Sequence, residues 1–216
     1  MFDGFLRVAA ATPDIRVADC NFNGASAAAL VSEAYEQGVS LLVLPELCLT
    51  GYTCSDLFLQ ESLLDGAGKA LLTLTEATRD KNMVVLAGLP LTVNGVLYNV
   101  AAVLHDGDIL GFVPKSYLPT YSEFYEGRHY HSGADIEADV LFNGRTYPFG
   151  TRLLFRCRQM PAFTLGIEIC EDLWVAQPPS ISHALAGATV IANLSASDET
   201  TGKDIYRRSL VSGQSA

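Results

Sequence analysis

The 216-residue sequence is poor in basic residues and contains no long apolar run. It carries 14 lysines and arginines against 24 aspartates and glutamates, which gives a formal net charge of -10. Such a field repels phosphate backbones and anionic membranes, so nucleic acid is not an expected partner. No apolar run approaches the roughly 20 residues of a membrane span, and the N-terminus lacks the pattern of a signal peptide. We therefore expect a soluble cytoplasmic protein without a membrane partner.

The sequence also lacks a recognisable metal or disulfide pattern. Its five cysteines are odd in number and widely spaced, with no CxxC pair and no histidine pair at ligand spacing. We therefore expect reduced thiols and no metal site. Cys170 differs from the others because Glu168, Glu171 and Asp172 lie beside it in the sequence. The remaining four cysteines are assigned to packing: Cys20, Cys48, Cys54 and Cys157.

Short β-branched apolar runs alternate with helix-length periodic stretches, which predicts one α/β domain over residues 1–216. The hairpin dipeptides Asn94-Gly95 and Asp106-Gly107 predict an antiparallel meander, so the sheet should be mixed rather than purely parallel. The strands are predicted at 5–11, 41–44, 83–89, 96–104, 109–113, 163–169 and 189–194, and the helices at 25–37, 62–81, 181–186 and 203–212. The less regular stretch 127–149 is interpreted as a surface excursion, with a short hairpin as its candidate form.

A carboxylate, an ammonium group and a thiol each follow a predicted strand, namely Glu46, Lys115 and Cys170. Taken singly, each has an ordinary explanation: a loop carboxylate, a solvated lysine and a buried, inert thiol. Together they suit attack on an amide carbon, as general base, oxyanion stabiliser and nucleophile. A papain-like cysteine–histidine pair stays open, because spacing alone does not exclude a partner among His105, His129, His131 and His183.

These three segments together resemble the nitrilase, or carbon-nitrogen hydrolase, superfamily, whose triad is glutamate, lysine and cysteine in that chain order. Within the superfamily, the sequence looks like the glutaminase domain of glutamine-dependent NAD+ synthetases over essentially its whole length. The matching stretches are 45–58, 114–121 with Glu126 and Arg128, 168–174 and 193–197. The resemblance implies a nitrilase-like αββα sandwich that hydrolyses L-glutamine to glutamate and ammonia. It also implies a homo-oligomer in which two sandwiches pack together.

The resemblance assigns roles to individual residues. Glu46 becomes the general base, Lys115 the stabiliser of the tetrahedral intermediate and Cys170 the nucleophile. Glu126 matches the supporting glutamate of the superfamily better than Glu123 does. The expected substrate-pocket residues are Tyr52, Tyr121, Glu171, Trp174 and Ser197, with Lys203 as a weaker candidate. The backbone N–H of Glu171 is expected to be an oxyanion donor, and a place in the aromatic core is the alternative for Trp174.

The resemblance further implies a partner, the synthetase domain of the same parent chain, which would use the ammonia to amidate nicotinic acid adenine dinucleotide. ATP and magnesium belong to that domain, and no cofactor is expected in the glutaminase domain. Nothing in this sequence resembles the Ser-Gly-Gly pyrophosphate loop of a synthetase domain. The nitrilase fold normally continues past the helix predicted at 203–212. We therefore expect a C-terminally truncated domain whose apolar faces favour tight oligomerisation or low stability.

Two other functions stay open at this point. A stand-alone amidase or carbamoylase of the same superfamily would explain the triad and the absence of an ATP loop equally well. An inactive scaffold, which keeps the fold without turnover, is the third hypothesis and follows from the expected truncation.

Overall fold

The computed structural model describes residues 4–216, which form ten strands, five α-helices and two 3-10 helices. In chain order the regular elements are β1 (Val8–Ala10), α1 (Cys20–Glu36), β2 (Leu41–Val43), α2 (Glu61–Ala77), β3 (Val84–Val93), β4 (Val96–His105), β5 (Asp108–Pro114), α3 (Glu126–His129), β6 (Glu137–Phe142), β7 (Arg145–Gly150), β8 (Phe155–Arg156), β9 (Thr164–Ile169), α4 (Pro179–Leu185), β10 (Val190–Leu194) and α5 (Lys203–Gln214). The 3-10 helices span Ser55–Leu59 and Cys170–Leu173.

The strands form two sheets, and the larger one is mixed, as the hairpin dipeptides predict. Its order is β1-β2-β3-β4-β5-β7-β6, with β1, β2 and β3 parallel to one another. The strands β3, β4 and β5 form the expected antiparallel meander. The smaller sheet has the order β10-β9-β8, in which β9 and β10 run parallel.

The layers stack as helix, sheet, sheet and helix, which confirms the αββα prediction. On one face of the larger sheet, the buried stripes of α1 and α2 include Ala27, Val31, Leu71 and Leu74. The opposite face packs on the smaller sheet through a second core. The helix α4 contacts β9 from the outer side of that smaller sheet. Apolar burial on both faces of the larger sheet provides the main stabilisation of this arrangement.

Residues 127–149 depart from the sequence prediction of a surface excursion. They include α3 and most of a hairpin, β6–β7, which extends the larger sheet because β7 pairs with β5. Phe149 is 1% exposed and packs in the core. The structure confirms the hairpin, but the prediction that it is a surface excursion was wrong, because β7 joins the larger sheet and Phe149 packs in the core. The two-residue strand β8 was also missed, because it is too short to show a pattern.

Two sequence features explain how helices and strands end where they do. The carboxylate of Asp19 accepts a hydrogen bond from the backbone nitrogen of Phe22 at 3.0 Å and so caps the N-terminus of α1. After β2, Pro45 lacks an N–H group and therefore cannot extend the ladder. The chain turns there and crosses over β3 at Gly88, whose backbone N–H donates to the carbonyl of Pro45 at 3.3 Å.

Across residues 4–216, we find no helix with the length and apolarity required to cross a bilayer.

Replacing Gly88 with alanine should destabilise the fold, because the turn that carries Glu46 lies directly on this glycine. A β-carbon at position 88 would stand 2.7 Å from the α-carbon of Glu46 and closer still to the backbone nitrogen of Leu47. We expect G88A to lower the free energy of unfolding by about 1–3 kcal/mol, measured by urea denaturation. G213A is the matched control, because a β-carbon in that α5 position meets nothing within 4 Å. Equal stability of G88A and the wild type would contradict this account of the turn.

Candidate active site

Glu46 lies beyond the end of β2 and is only 2% exposed. One carboxylate oxygen, Oε1, accepts hydrogen bonds from Nζ of Lys115 and Nδ2 of Asn99, both at 2.7 Å. The other oxygen, Oε2, accepts one from the backbone nitrogen of Ala196 at 3.1 Å. Each oxygen therefore has a donor, which satisfies a charge that would be costly to bury alone. The position and orientation of this carboxylate are fixed before any substrate binds.

Lys115 follows β5 directly, and its side chain is fully buried. Its ammonium group bridges two carboxylates, with Nζ 2.7 Å from Oε1 of Glu46 and 2.6 Å from Oε1 of Glu126. The alternative of a solvated lysine is thereby excluded. Burial alone would lower the pKa of Lys115, but the two carboxylates outweigh burial and hold its pKa above the ordinary value. Lys115 is therefore cationic across the physiological pH range.

Glu126, at the start of α3, completes this charge cluster of Glu46, Lys115 and Glu126. The hydroxyl of Tyr52 donates to its Oε1 at 2.7 Å, and its Oε2 has no hydrogen-bond partner among residues 4–216. Burial raises the pKa of Glu126, while Lys115 opposes the rise. The structure places Glu126 against Lys115, whereas the alternative Glu123 is an exposed residue.

Cys170 begins the 3-10 helix that follows β9, with a positive φ of 46°. A non-glycine residue in this region is strained and needs support from its surroundings. The side chain is buried, and the hydroxyl of Ser195 donates to Sγ at 3.5 Å. Burial, followed by the charge of Glu46, raises the pKa of Cys170 to about 12, against the opposing effect of Lys115. The resting thiol is therefore protonated at neutral pH and needs a base in order to react.

The histidines make other contacts, so the structure gives no support to a cysteine–histidine pair. His105 Nδ1 lies 3.2 Å from the carbonyl of Met83, and His129 Nε2 lies 3.0 Å from Asp56. His183 Nε2 lies 2.8 Å from the carbonyl of Thr151, and the backbone of His131 bonds to that of Leu97. The charged groups that act on Cys170 are instead Glu46 and Lys115.

Of the expected substrate-pocket residues, Tyr52 contacts the charge cluster through Glu126. Tyr121 is exposed, and the others are partly buried. The hydroxyl of Tyr121 donates to the carboxylate of Glu171 at 3.0 Å. The ring of Trp174 packs on Tyr206 of α5, with 5.5 Å between ring centroids, rather than in the apolar core. Lys203 pairs with Asp198, and its ammonium group lies 5.3 Å from the centroid of Trp174. These residues form a polar and aromatic group beside the turn that carries Cys170.

Two cavities lie beside the charge cluster and share the wall formed by Leu47 and Tyr52. The first, of about 490 Å³, is lined by Glu46, Ser195 and Ser197 among others. The second, of about 520 Å³, is lined by Glu126 and Tyr130 on the other side of Tyr52. Either volume can hold a small amino acid. The first cavity gives access to Glu46 and to Ser195, whose hydroxyl contacts the thiol of Cys170.

The sequence analysis missed three groups that contact the predicted triad residues. Asn99, on β4, donates to Glu46, and its own Oδ1 has no partner among the described residues. Its signal was a lone amide inside an otherwise apolar strand, since such a group needs a buried partner. Ser195 and the backbone of Ala196 were the others, and both lie in a stretch that the resemblance had already matched.

In residues 4–216, no group of three or more His, Cys, Asp or Glu side chains is arranged to hold a metal ion.

Comparison with known proteins gives matches over nearly the whole chain. Residues 7–211 match the carbon-nitrogen hydrolase family. The glutamine-dependent NAD(+) synthetase of Mycobacterium tuberculosis (strain ATCC 25618 / H37Rv) is 46% identical over 213 residues, which are 99% of this chain and 31% of that protein. This chain therefore spans about a third of the length of such relatives.

Solved structures give a consistent result. A glutamine-dependent NAD(+) synthetase from Cytophaga hutchinsonii superposes with a TM-score of 0.86 at 30% identity, over 97% of this chain and 33% of that one. A variant of the Nesterenkonia AN1 amidase, from the nitrilase superfamily, superposes with a TM-score of 0.70 at 21% identity, over 97% of this chain and 72% of the amidase. At that identity, the second match shows the shared fold alone.

Replacing Lys115 with methionine should destabilise the fold in a pH-dependent way, because it leaves two buried carboxylates without their cation. We expect K115M to lower the free energy of unfolding by about 3–5 kcal/mol near neutral pH. Without Lys115 the pKa of Glu126, already raised, rises further. A protein with a carboxyl whose folded-state pKa is raised loses stability as the pH increases through that pKa. The loss of unfolding free energy in K115M should therefore be larger at about pH 8 than at about pH 5.5.

Urea denaturation at the two pH values measures this effect, with K69M as the control because Lys69 is an exposed residue of α2. A deficit in K115M that is independent of pH, or no larger than that of K69M, would contradict the assignment of a buried ion cluster.

Proposed function

This chain belongs to the carbon-nitrogen hydrolase family, and from that premise we propose that it hydrolyses the side-chain amide of L-glutamine with Cys170 as nucleophile. The observation that carries the proposal is the buried ion cluster in which Lys115 bridges Glu46 and Glu126. Since both Glu46 and Lys115 act electrostatically on Cys170, a base and a cation are available beside a protonated thiol. The similarity to glutamine-dependent NAD(+) synthetases supports glutamine as the substrate.

In the proposed first half-reaction, Glu46 takes the proton of the Cys170 thiol as Sγ attacks the amide carbon of glutamine. The carbonyl oxygen gains negative charge, which Lys115 and the backbone N–H of Glu171 stabilise. The first N–H groups of a helix have no acceptor within it, and Glu171 lies in the first turn of the 3-10 helix. Glu46 then returns the proton to the leaving nitrogen, the C–N bond breaks, and ammonia leaves a glutamyl thioester.

In the second half-reaction, Glu46 removes a proton from water as the water oxygen attacks the thioester carbon. The C–S bond breaks, the thiolate recovers the proton, and glutamate is released. Lys115 keeps its charge through both halves because its pKa lies above the ordinary lysine value. Glu126 holds Lys115 from the other side, and Tyr52 orients Glu126.

The outer residues suit recognition of the amino acid end of glutamine. Glu171, oriented by Tyr121, offers a carboxylate to the α-ammonium group, while Ser197 and Lys203 offer donors to the α-carboxylate. Trp174 would cover the methylene groups from the side of α5. We carry these assignments over from the resemblance, and the positions of the residues around the nucleophile turn are compatible with them.

The wider proposal concerns a parent chain that contains this domain. There the ammonia would pass to a synthetase domain that uses ATP and magnesium to amidate nicotinic acid adenine dinucleotide. Nearly the whole of this chain corresponds to about a third of such synthetases, which supports a division of labour between domains. A homo-oligomeric assembly and a cytoplasmic location are further parts of the proposal and rest on the sequence resemblance and the reduced-thiol pattern.

Replacing Cys170 with alanine should abolish glutamine hydrolysis, because Cys170 is the thiol on which the charges of Glu46 and Lys115 act. We expect the wild-type chain to release glutamate and ammonia from glutamine, and C170A to lose at least about 1,000-fold in rate. C157A is the matched control, since Cys157 lies away from the cluster beside Gln159. Coupled assays for glutamate and ammonia measure both products.

A glutamine analogue with an electrophile at the side-chain carbon distinguishes the substrate classes. Under the proposal it labels Cys170, and excess glutamine protects against labelling. Rapid hydrolysis of other small amides or carbamoyl compounds, without labelling by the analogue, would favour a stand-alone amidase and contradict the proposal. Failure of the folded chain to hydrolyse any amide would favour the inactive scaffold.

A further inference from the structure

Asp172 is a buried carboxylate that the proposed chemistry does not use. It lies in the 3-10 helix that begins at Cys170, two residues after the nucleophile, and is 1% exposed. A buried carboxylate is costly unless hydrogen bonds or an opposite charge satisfy it. Its hydrogen bonds therefore indicate what holds it in place.

The carboxylate of Asp172 bonds to two segments that carry proposed catalytic residues. Oδ2 accepts from the backbone nitrogen of Ile169, the residue before Cys170, at 2.9 Å. Oδ1 accepts from the backbone nitrogens of Ser116 at 3.1 Å and Tyr117 at 2.8 Å, the two residues after Lys115. One side chain thus links the backbone around the nucleophile to the backbone around the lysine.

We propose that Asp172 is the positioning residue that fixes the nucleophile turn relative to Lys115. The positive φ of Cys170 is a strained conformation that requires support on both sides, and Asp172 supplies it by bonding across Cys170 to Ile169. Its two bonds to Ser116 and Tyr117 then set where this strained turn lies. This inference rests on the proposed function, because positioning matters only if Lys115 and Cys170 act on one substrate.

An ionised carboxylate suits this task better than a neutral group does. Both oxygens of a carboxylate accept, whereas an amide or a protonated carboxyl presents a donor on one side. In Asp172→Asn, the amide NH2 group would face either the N–H of Ile169 or those of Ser116 and Tyr117, so one half of the link is lost. Displacements of about 1 Å in an active site can cost on the order of 100-fold in rate.

The pH dependence that follows from the titration of Asp172 distinguishes a positioning role of the ionised carboxylate from a purely structural role. Burial raises the pKa of Asp172 to about 7, although the backbone donors of Ile169 and Tyr117 lower it. Two charged groups also act on this pKa: Lys115 lowers it and Glu168 raises it. The wild-type group is therefore mostly ionised at about pH 8.5 and protonated at about pH 5.5. At the lower pH, the wild type should behave like D172N.

The experiment compares the rate of Cys170 alkylation by iodoacetamide, followed by site-specific mass spectrometry, and the kcat and KM for glutamine. At about pH 8.5, we expect both the alkylation rate and kcat of D172N to be at least about 10-fold lower than those of the wild type, with KM changed less than about 3-fold. At about pH 5.5, the two proteins should differ by no more than about 3-fold in the alkylation rate and in kcat. D19N is the control, because Asp19 also accepts a hydrogen bond from a backbone N–H, that of Phe22, but at the start of α1. A ratio of D172N to wild type that does not change with pH, or equal losses in D19N, would overturn the proposal.

A second pair of variants tests the link from the other side, in case D172N does not fold. Tyr117→Pro removes the N–H that donates to Asp172, whereas Tyr117→Ala keeps it and controls for the loss of the half-exposed ring. We expect slower alkylation and a lower kcat in Y117P alone. Equal rates in the two variants would overturn the proposal. Since alkylation does not require glutamine, a wild-type chain that alkylates but does not hydrolyse glutamine would count against the proposed function and not against Asp172.

Discussion

The bridge that Lys115 makes between Glu46 and Glu126 constrains the rest of the site, because three charges are buried together below the surface. Burying them requires that almost every charged atom has a partner, and Asn99, Tyr52 and the backbone of Ala196 supply the remaining hydrogen bonds. The same bridge keeps the lysine protonated, while burial, followed by the charge of Glu46, keeps Cys170 a thiol at rest against the opposing effect of Lys115. The electrostatic state of the site is therefore set by the fold, and the charge cluster is preorganised before any ligand binds.

The sheet topology explains how residues so distant in sequence converge. Glu46 follows β2, Lys115 follows β5, and Cys170 and Ser195 follow the parallel strands β9 and β10 of the second sheet. The two sheets pack face to face, so strand ends from both sheets meet at one edge. The close approach at Gly88 brings the Glu46 turn over β3, and Asp172 joins the ends of β5 and β9. Positions at strand ends combine a rigid scaffold with a backbone free to turn.

The sequence predicted much of this arrangement, but the reasons for success and failure differ between elements. The alternation of strands and helices, and the dipeptides Asn94-Gly95 and Asp106-Gly107, are local signals, and the structure confirms them. The hairpin β6–β7 joins the sheet through long-range pairing with β5, which the local pattern of 127–149 does not encode. The residue types at the ends of β2, β5 and β9 predicted Glu46, Lys115 and Cys170 as candidate site residues. The lone amide of Asn99 was a signal for a buried partner, but the identity of that partner and the bonds of Asp172 could not be predicted. They depend on sheet order and on backbone atoms from distant segments.

The central claim is that Cys170 becomes covalently bonded to the substrate carbon while the cluster of Glu46, Lys115 and Glu126 supplies the base and the cation. The most direct measurement is rapid mixing with isotopically labelled glutamine, acid quenching within one turnover, and mass spectrometry of the peptides that contain each cysteine. Our account predicts a transient glutamyl thioester on Cys170 that forms with the burst of ammonia and decays as glutamate appears. Release of glutamate with no adduct on Cys170, or an adduct on another cysteine that forms at the rate of turnover, would contradict it.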